Sequence, residues 1–487
     1  MRIKTAENLG LLSLLVISWS LCQATAVLAD CAVTGDDRMY VILSRDARPS
    51  SIVELVVDDE GSLHQLNTYP SGGRGAPWDS PQIPSIDPSN RRLFVPNNAS
   101  NDISVFTIRW DGSLVPVPGS PFPSAPGTYA TSLHPSGRYL YVTRWRERTV
   151  GVYEVQANGS LVLNQVAPAF NARDLEVNPT GRHLYVAAMG SGLRGYEISE
   201  LGTLAELPGS PFTYPGMHRA HSVAVSSDGE RVFLLDLDSG AIVFDVDDGG
   251  ALSFVSGAWM PQDSLPKALT VTHDDRFVYY GTYGSLYGHA IRPYGLVPVP
   301  GSPFGTLGKP VALINPADTS RLYMVSRYLP TIHTYAIDSR GVLDEVRPEL
   351  EIVNHEGWMP AGATYMAMCA VVRVEIDINL GGFPITGHEI PVALLGSEYF
   401  DVSDVAVTTL RFGPGEAIPT HDLSDPWTYN EHLQDVNFDG HLDLVSHYRI
   451  PETGVTCGDT EAALTGSTNT GIRFRGADSV GPCLQPR

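Results

Sequence analysis

Two residue patterns in this chain have the composition that chemistry requires. The stretch Asp435-Val436-Asn437-Phe438-Asp439-Gly440-His441-Leu442-Asp443 sets oxygen-bearing side chains on alternate residues, with glycine at the sixth position. That spacing lets a tight turn wrap a hard cation, so Ca²⁺ is the expected cofactor of this segment. Asp435, Asn437 and Asp439 would ligate directly, His441 through its backbone carbonyl, and Asp443 directly or through water. The twelfth position is Ser446 and not Glu, so an EF-hand is incomplete, and Asp459 or Glu461 is a candidate for the missing ligand. The second pattern is His218-x-x-His221. Outside a helical HExxH, and on a strand where i and i+3 face opposite ways, this pair is not expected to share a metal. No GxSxG, P-loop or GxGxxG is present.

The elements that must position these residues follow from the rest of the chain. Its 487 residues carry 54 Asp+Glu against 32 Lys+Arg, a formal charge of −22. An acidic balance without a basic block excludes nucleic acid as a partner. Hydrophobic residues make up 43%, so the high counts of 47 Gly and 37 Pro signal turns and not disorder. Arg2 and Lys4 precede an apolar run from Leu9 to Leu21, and Val27-Leu28-Ala29 places small residues at a cleavage site. Residues 1–29 therefore read as a signal peptide, with a secreted or periplasmic protein released near Ala29. The run falls short of the about 20 apolar residues of a membrane helix, and no later stretch reaches that length, so no membrane span is expected.

Internal repetition decides the fold class. GRYLYV at 137–142 has relatives at 90–95, 181–186, 229–234, 275–280 and 320–325, and a shortened copy, DRMYVIL, at 37–43. Their arginines, from Arg38 to Arg321, recur every 44 to 54 residues. Each copy is followed by a unit such as TVGVYEV (149–155) and then by a glycine turn, at Gly61, Gly112, Gly159, Gly202, Gly250, Gly295 and Gly341. The units alternate apolar and polar residues, are rich in Val, Tyr and Phe, and are bounded by Gly, Asp, Asn or Pro, which is a strand signature. Four short strands per repeat build the blade of a β-propeller. An all-β fold is expected: a seven-bladed β-propeller over residues 30–371, followed by a small β-sandwich-like domain over 372–487.

The first copy lacks an innermost strand, and the unmatched stretch TYMAMCAVV (364–372) is expected to supply it, closing the ring without an open edge. That closure makes Cys31 and Cys369 neighbours and predicts a disulfide between them; Cys457 and Cys483 pair by elimination. Residues 372–487 hold 17 acids against 6 bases. The runs VRVEIDINL, IPVALLGS (390–397) and VAVTTLRFG (405–413) read as strands of this acidic domain. PGSPF, at 118–122, 208–212 and 300–304, reads as a blade-linking turn.

The phrases HPSGRYLYVTR (134–144) and NPTGRHLYVAA (178–188), each followed by a VxVY-like strand and a turn, resemble the seven-bladed lactonase propellers, which include 6-phosphogluconolactonase-like and muconate-cycloisomerase-like proteins. The resemblance covers about 340 residues. It implies an Arg-His pair opening an inner strand and an acidic residue after a YVxN phrase; here Arg173 is retained, Asp174 stands where His is expected, and His221-Ser222 occupies the matching place one blade later. The acidic residue is missing after LYV, where Asp236 of the following blade is the nearest substitute. The C-terminal order VEIDI…HLQDVNFDGHLDLVSHYR…ETGVTCGDT resembles a module appended to many secreted bacterial proteins.

Loops entering the innermost strands and loops joining the second and third strands share one face of a propeller. Arg173, Arg219, Lys267 and Lys309 fall in the first set and Arg144, Arg146, Arg148 and Arg327 in the second, giving a basic channel mouth suited to an anionic ligand. Arg144, Arg173, His218 and His221 are the candidate ligand-binding residues. Two readings follow. One is a secreted binding or scaffold protein for an anionic small molecule, glycan or protein, with no cofactor in the propeller. The other is a lactonase or cycloisomerase acting on an acidic lactone, which requires Arg173, His218 or His221 and a carboxylate within reach of one pocket.

Overall fold

Seven antiparallel sheets follow one another along the chain, each four strands deep, and two of them carry a short fifth strand. The computed structural model describes residues 37–480 except 45–47, 59–60, 76–81, 110–111, 215, 259, 261–267, 307, 317–319, 328, 353–358, 367–370, 379–387, 398–399, 457–458, 460 and 470–472. The expected signal peptide, both expected disulfides and Lys267 lie outside the described residues.

Blade 4 shows the plan. Its strands Ala172–Val177, His183–Ala188, Gly192–Ile198 and Leu204–Glu206 pair in chain order, from the innermost outwards. Blade 1 departs from it: Asp37–Ser44 pairs on one side with Pro49–Val57 and on the other with Met359–Met366. The ring is thus closed by a strand from the far end of the propeller. It starts earlier than the expected 364–372, and Val371–Arg373 instead pairs in parallel with Arg473–Ser479 of the second domain.

Between adjacent blades the inward faces of the strands bury a separate core. Blades 3 and 4, for example, meet through Tyr141, Val150, Val152, Leu175, Leu184 and Val186. Blades 7 and 1 meet through Tyr323, Val325, Met39 and Val41, so the apolar contact runs the whole way round. A tyrosine of the repeat ties five of the seven pairs at the outer turn; blades 2 and 5 carry Phe94 and Phe233 in its place. Tyr141 donates its hydroxyl to the carbonyl of Gly202 at 3.0 Å, Tyr185 to Gly250 at 2.9 Å, Tyr279 to Gly341 at 2.8 Å and Tyr40 to Gly112 at 2.7 Å. Tyr323 of blade 7 donates to Gly61 of blade 1 at 3.1 Å, which closes this series as well. The turn needs glycine there: Gly61 has φ +75°, and a Cβ would lie 2.4 Å from Arg321 Nε. Repeat arginines serve the same seam, with Arg92 Nη2 donating to Ala157 O and Arg231 Nη1 to Arg292 O. The PGSPF segments fold back onto their own blade, where Ser120 Oγ accepts from Val105 N and Ser302 Oγ from Gly288 N.

The second domain stacks two four-stranded sheets around one core that includes Ile390, Val392, Phe400, Phe412, Leu444, Tyr448, Leu464 and Phe474. Its sequence reading needs one correction. The run 405–413 contributes only the strand Arg411–Phe412; the 3-10 turns Val402–Asp404 and Val407–Thr409 occupy this part of the chain. Asp401 accepts from Ser403 N and Thr409 donates to Ala406 O, so side chains capture backbone groups that a strand would have used.

Candidate functional site

The innermost strands of all seven blades surround a central channel holding a cavity of about 380 Å³. An innermost strand has one edge without a neighbour, so its N–H groups need other partners. Side chains of the adjoining blade supply some of them. Ser132 Oγ accepts from Val177 N at 3.1 Å, and Asp174 Oδ2 accepts from Val223 N at 3.1 Å while its Oδ1 accepts from Leu175 N. Glu176, two residues on and therefore on the same face, accepts from Val225 N. Two carboxylates thus line one wall of the channel. Burial pushes Asp174 up to about 7 despite its two backbone donors. Burial first, and then the neighbouring Asp174, pushes Glu176 up to about 8.

Arg173 immediately precedes Asp174 in sequence but faces the opposite way, towards blade 3. Its guanidinium sits 4.6 Å from the Trp145 ring centroid and 5.6 Å from that of Tyr129. Arg146 covers the same indole at 5.2 Å, and Arg148 covers Phe170 at 4.6 Å. Among the described residues Arg144, Arg146, Arg148 and Arg173 make no ion pair, and Arg173 Nε is buried without a hydrogen-bond partner. Arg219 differs, being paired with Asp238, whose carboxyl it holds below the usual range. Lys309 and Arg327 are buried, and Arg327 Nη1 reaches Pro360 O.

The remaining candidates do not converge. Arg144 lies against Gly151 and beside Tyr153, on the face of blade 3 turned to blade 2, so it does not join Arg173. His218 is exposed ahead of the inner strand Ala220–Val225, whereas His221 is buried with Nδ1 3.3 Å from Ser222 Oγ. Asp236, the substitute acid, is fully buried and accepts from four backbone N–H groups, those of His218, Arg219, Asp238 and Ser239. All its acceptor capacity organises the turn, which removes it as a base. The channel carboxylates that do have raised pKa values went unread as a pair, although the Asp174-x-Glu176 spacing on a strand signals one shared face. Trp145 and Tyr129 were missed because cation–π platforms leave no spacing rule.

In the acidic loop, Asp435, Asn437 and Asp439 turn inward on exposed backbone where Gly440 takes φ +91°. Asp435 accepts from Asp439 N and Gly440 N, and Asp439 Oδ1 accepts from His441 N. Asp443, expected to ligate directly or through water, is held by the backbone. It is fully buried and its two oxygens accept from Gly396 N and Val436 N, at 2.8 Å each. Ser446 is buried and donates to Val392 O, and Asp459, one candidate for the missing ligand beside Glu461, closes its own turn by accepting from Thr456 N.

No family model matches the chain, and no curated protein matches it. Solved structures do. A putative 6-phosphogluconolactonase from Bacteroides fragilis superposes with a TM-score of 0.58 at 15% identity, covering 68% of this chain and 98% of that one. The periplasmic gluconolactonase of Pseudomonas aeruginosa gives 0.55 at 18% identity over 68% and 99%. A functionally unknown protein from Desulfotomaculum acetoxidans gives 0.52 at 12% identity, with the same two shares. In fold, the ring is a β-propeller similar to those of these structures.

Proposed function

We propose that this chain is a secreted binding protein whose propeller takes an anionic ligand at the Arg173–Trp145 corner of the channel mouth, with a calcium-stabilised C-terminal module. The carrying observation is the stack of half-buried Arg173 and exposed Arg146 on Trp145, with no ion pair to either among the described residues, since unneutralised guanidinium groups on an aromatic platform favour an anion. Arg173→Ala is expected to weaken binding of 6-phosphogluconate, used as an anionic probe, roughly 10- to 100-fold, the worth of a charge-assisted hydrogen bond. Equal calorimetric affinities of the variant and the parent would rule this corner out.

A second reading, hydrolysis of an acidic lactone, is favoured by one observation. Glu176, with its pKa pushed up to about 8, stands on the wall of the central channel, where a carboxylate of that basicity can take a proton from water. A pH-indicator screen of lactones separates the two: acid release abolished by Glu176→Gln would establish hydrolysis, and silence across the panel leaves binding.

The acidic loop fits Ca²⁺ through Asp435, Asn437 and Asp439, a hard-oxygen set on an exposed turn; the ion would neutralise the repulsion between the two carboxylates. Chelation is expected to lower the melting temperature of the second domain, and Asp439→Ala to remove that response. An identical melt with and without chelator would contradict it.

A further inference from the structure

Three histidines of the second domain, far apart in sequence, meet at one point: His421, His432 and His447, each offering a ring nitrogen, and these atoms all lie within 4.8 Å of one another. We propose that they form a binding site for a Zn²⁺-type divalent ion, separate from the calcium loop, with three imidazole ligands and an open fourth position.

The backbone explains why they meet. Leu433 pairs with Leu444 and Gln434 with Asp443 in a hairpin, and Val445 N donates to His432 O one step further on. Val445 and His447 share a face of the strand Asp443–Arg449, so His432 and His447 become diagonal neighbours across the ladder. Thr420 N donates to His447 O, which sets His421 beside them. The ring centroids are 4.8, 5.4 and 5.7 Å apart.

The hydrogen bonds suit a metal. His432 Nδ1 is 2.6 Å from Val445 O, and since a carbonyl only accepts, Nδ1 carries the proton and Nε2 keeps its lone pair. A ligating histidine is commonly oriented by such a bond to a backbone carbonyl. That lone pair faces His421 Nδ1 at 3.0 Å, close to the about 3.3 Å between nitrogens that a tetrahedral ion with Zn–N of about 2.0–2.1 Å requires. His447 Nδ1 is buried without a hydrogen-bond partner beside the other two. An unpaired buried nitrogen next to two imidazoles is costly, and a shared cation satisfies all three at once. Imidazole suits zinc and its neighbours, whereas the all-oxygen loop suits calcium, so the two sites select different ions. His421 is exposed, so the fourth position opens to solvent.

The test is titration of the full chain, in calcium-saturated buffer stripped of other metals, with Zn²⁺ by calorimetry and with Co²⁺ by visible absorption. One ion should bind tighter than about 1 μM, with the intense ligand-field bands of nitrogen-coordinated Co²⁺. His421→Ala, at an exposed position, should leave the metal-free melt unchanged and weaken Zn²⁺ roughly 100-fold, more than an outer-sphere change usually does. His432→Gln should do the same, while Asp439→Asn leaves Zn²⁺ affinity intact. Binding unaltered by His421→Ala, absent altogether, or lost with Asp439→Asn instead would each overturn the proposal.

Discussion

Replacing Asp236 by alanine is expected to cost about 3–5 kcal/mol of propeller stability, read as a fall in the urea midpoint at constant slope. The carboxylate is fully buried at the end of the second strand of blade 5. It accepts from His218 N at 3.0 Å, Arg219 N at 2.6 Å, and Asp238 N and Ser239 N at 2.9 Å each. Alanine leaves these donors unpaired, and each buried orphan costs about 1–3 kcal/mol. The loss also frees the turn that places Asp238 against Arg219, so the salt bridge at the channel mouth should weaken with it. Asp236→Asn, which keeps one acceptor oxygen, should fall between the two. A change below about 1 kcal/mol for alanine would show that the turn holds itself without the carboxylate.

The second large effect is a dependence on pH set by the channel. Asp174 titrates near 7 and Glu176 near 8 in the folded protein, both raised chiefly by burial from their ordinary values of 3.8 and 4.5. The folded state therefore binds more protons than the unfolded chain between about pH 4 and 8. Their contribution to stability is full below the unfolded values and is lost as pH rises through 7 and 8. For Asp174 the loss is on the order of 4 kcal/mol at full burial. Glu176 opens partly to the lumen, so a smaller share, on the order of 2 kcal/mol, is assigned to it. Glu176→Gln keeps an oxygen for Val225 N and removes the charge. It should match the parent at pH 5 and exceed it at pH 9 in urea unfolding. Parallel curves for variant and parent across that range would refute the assignment.

Most of the propeller is legible in the sequence because a blade is a local object. Strands such as Tyr139–Arg144 and Thr149–Val155 carry their own period of two, and the turns between them carry glycine. Even the closing strand is deducible from an unmatched apolar stretch, though its start is misplaced because 359–363, MPAGA, has no strand composition. The run 405–413 misleads for the converse reason. Its Val and Thr have strand propensity, yet Asp401 and Thr409 bind nearby backbone and fold the chain into short turns.

The candidate site is less legible. Arg173 and Asp174 are adjacent, and the sequence places both at a channel mouth, but the strand sends one to Trp145 and the other to Val223. Asp443 has the type and spacing of a ligand, and only its burial against Gly396 N and Val436 N reveals a structural task.

By itself the sequence determined the ring of seven blades, its extra acidic domain and the oxygen-rich loop, since each rests on a short-range period or spacing. Tertiary structure alone decided which blade each channel residue faces, and it alone brought His421, His432 and His447 together. The physical reason is register. Side-chain alternation is local, but the pairing of distant backbone segments is set by whole-domain packing that no spacing along the chain encodes.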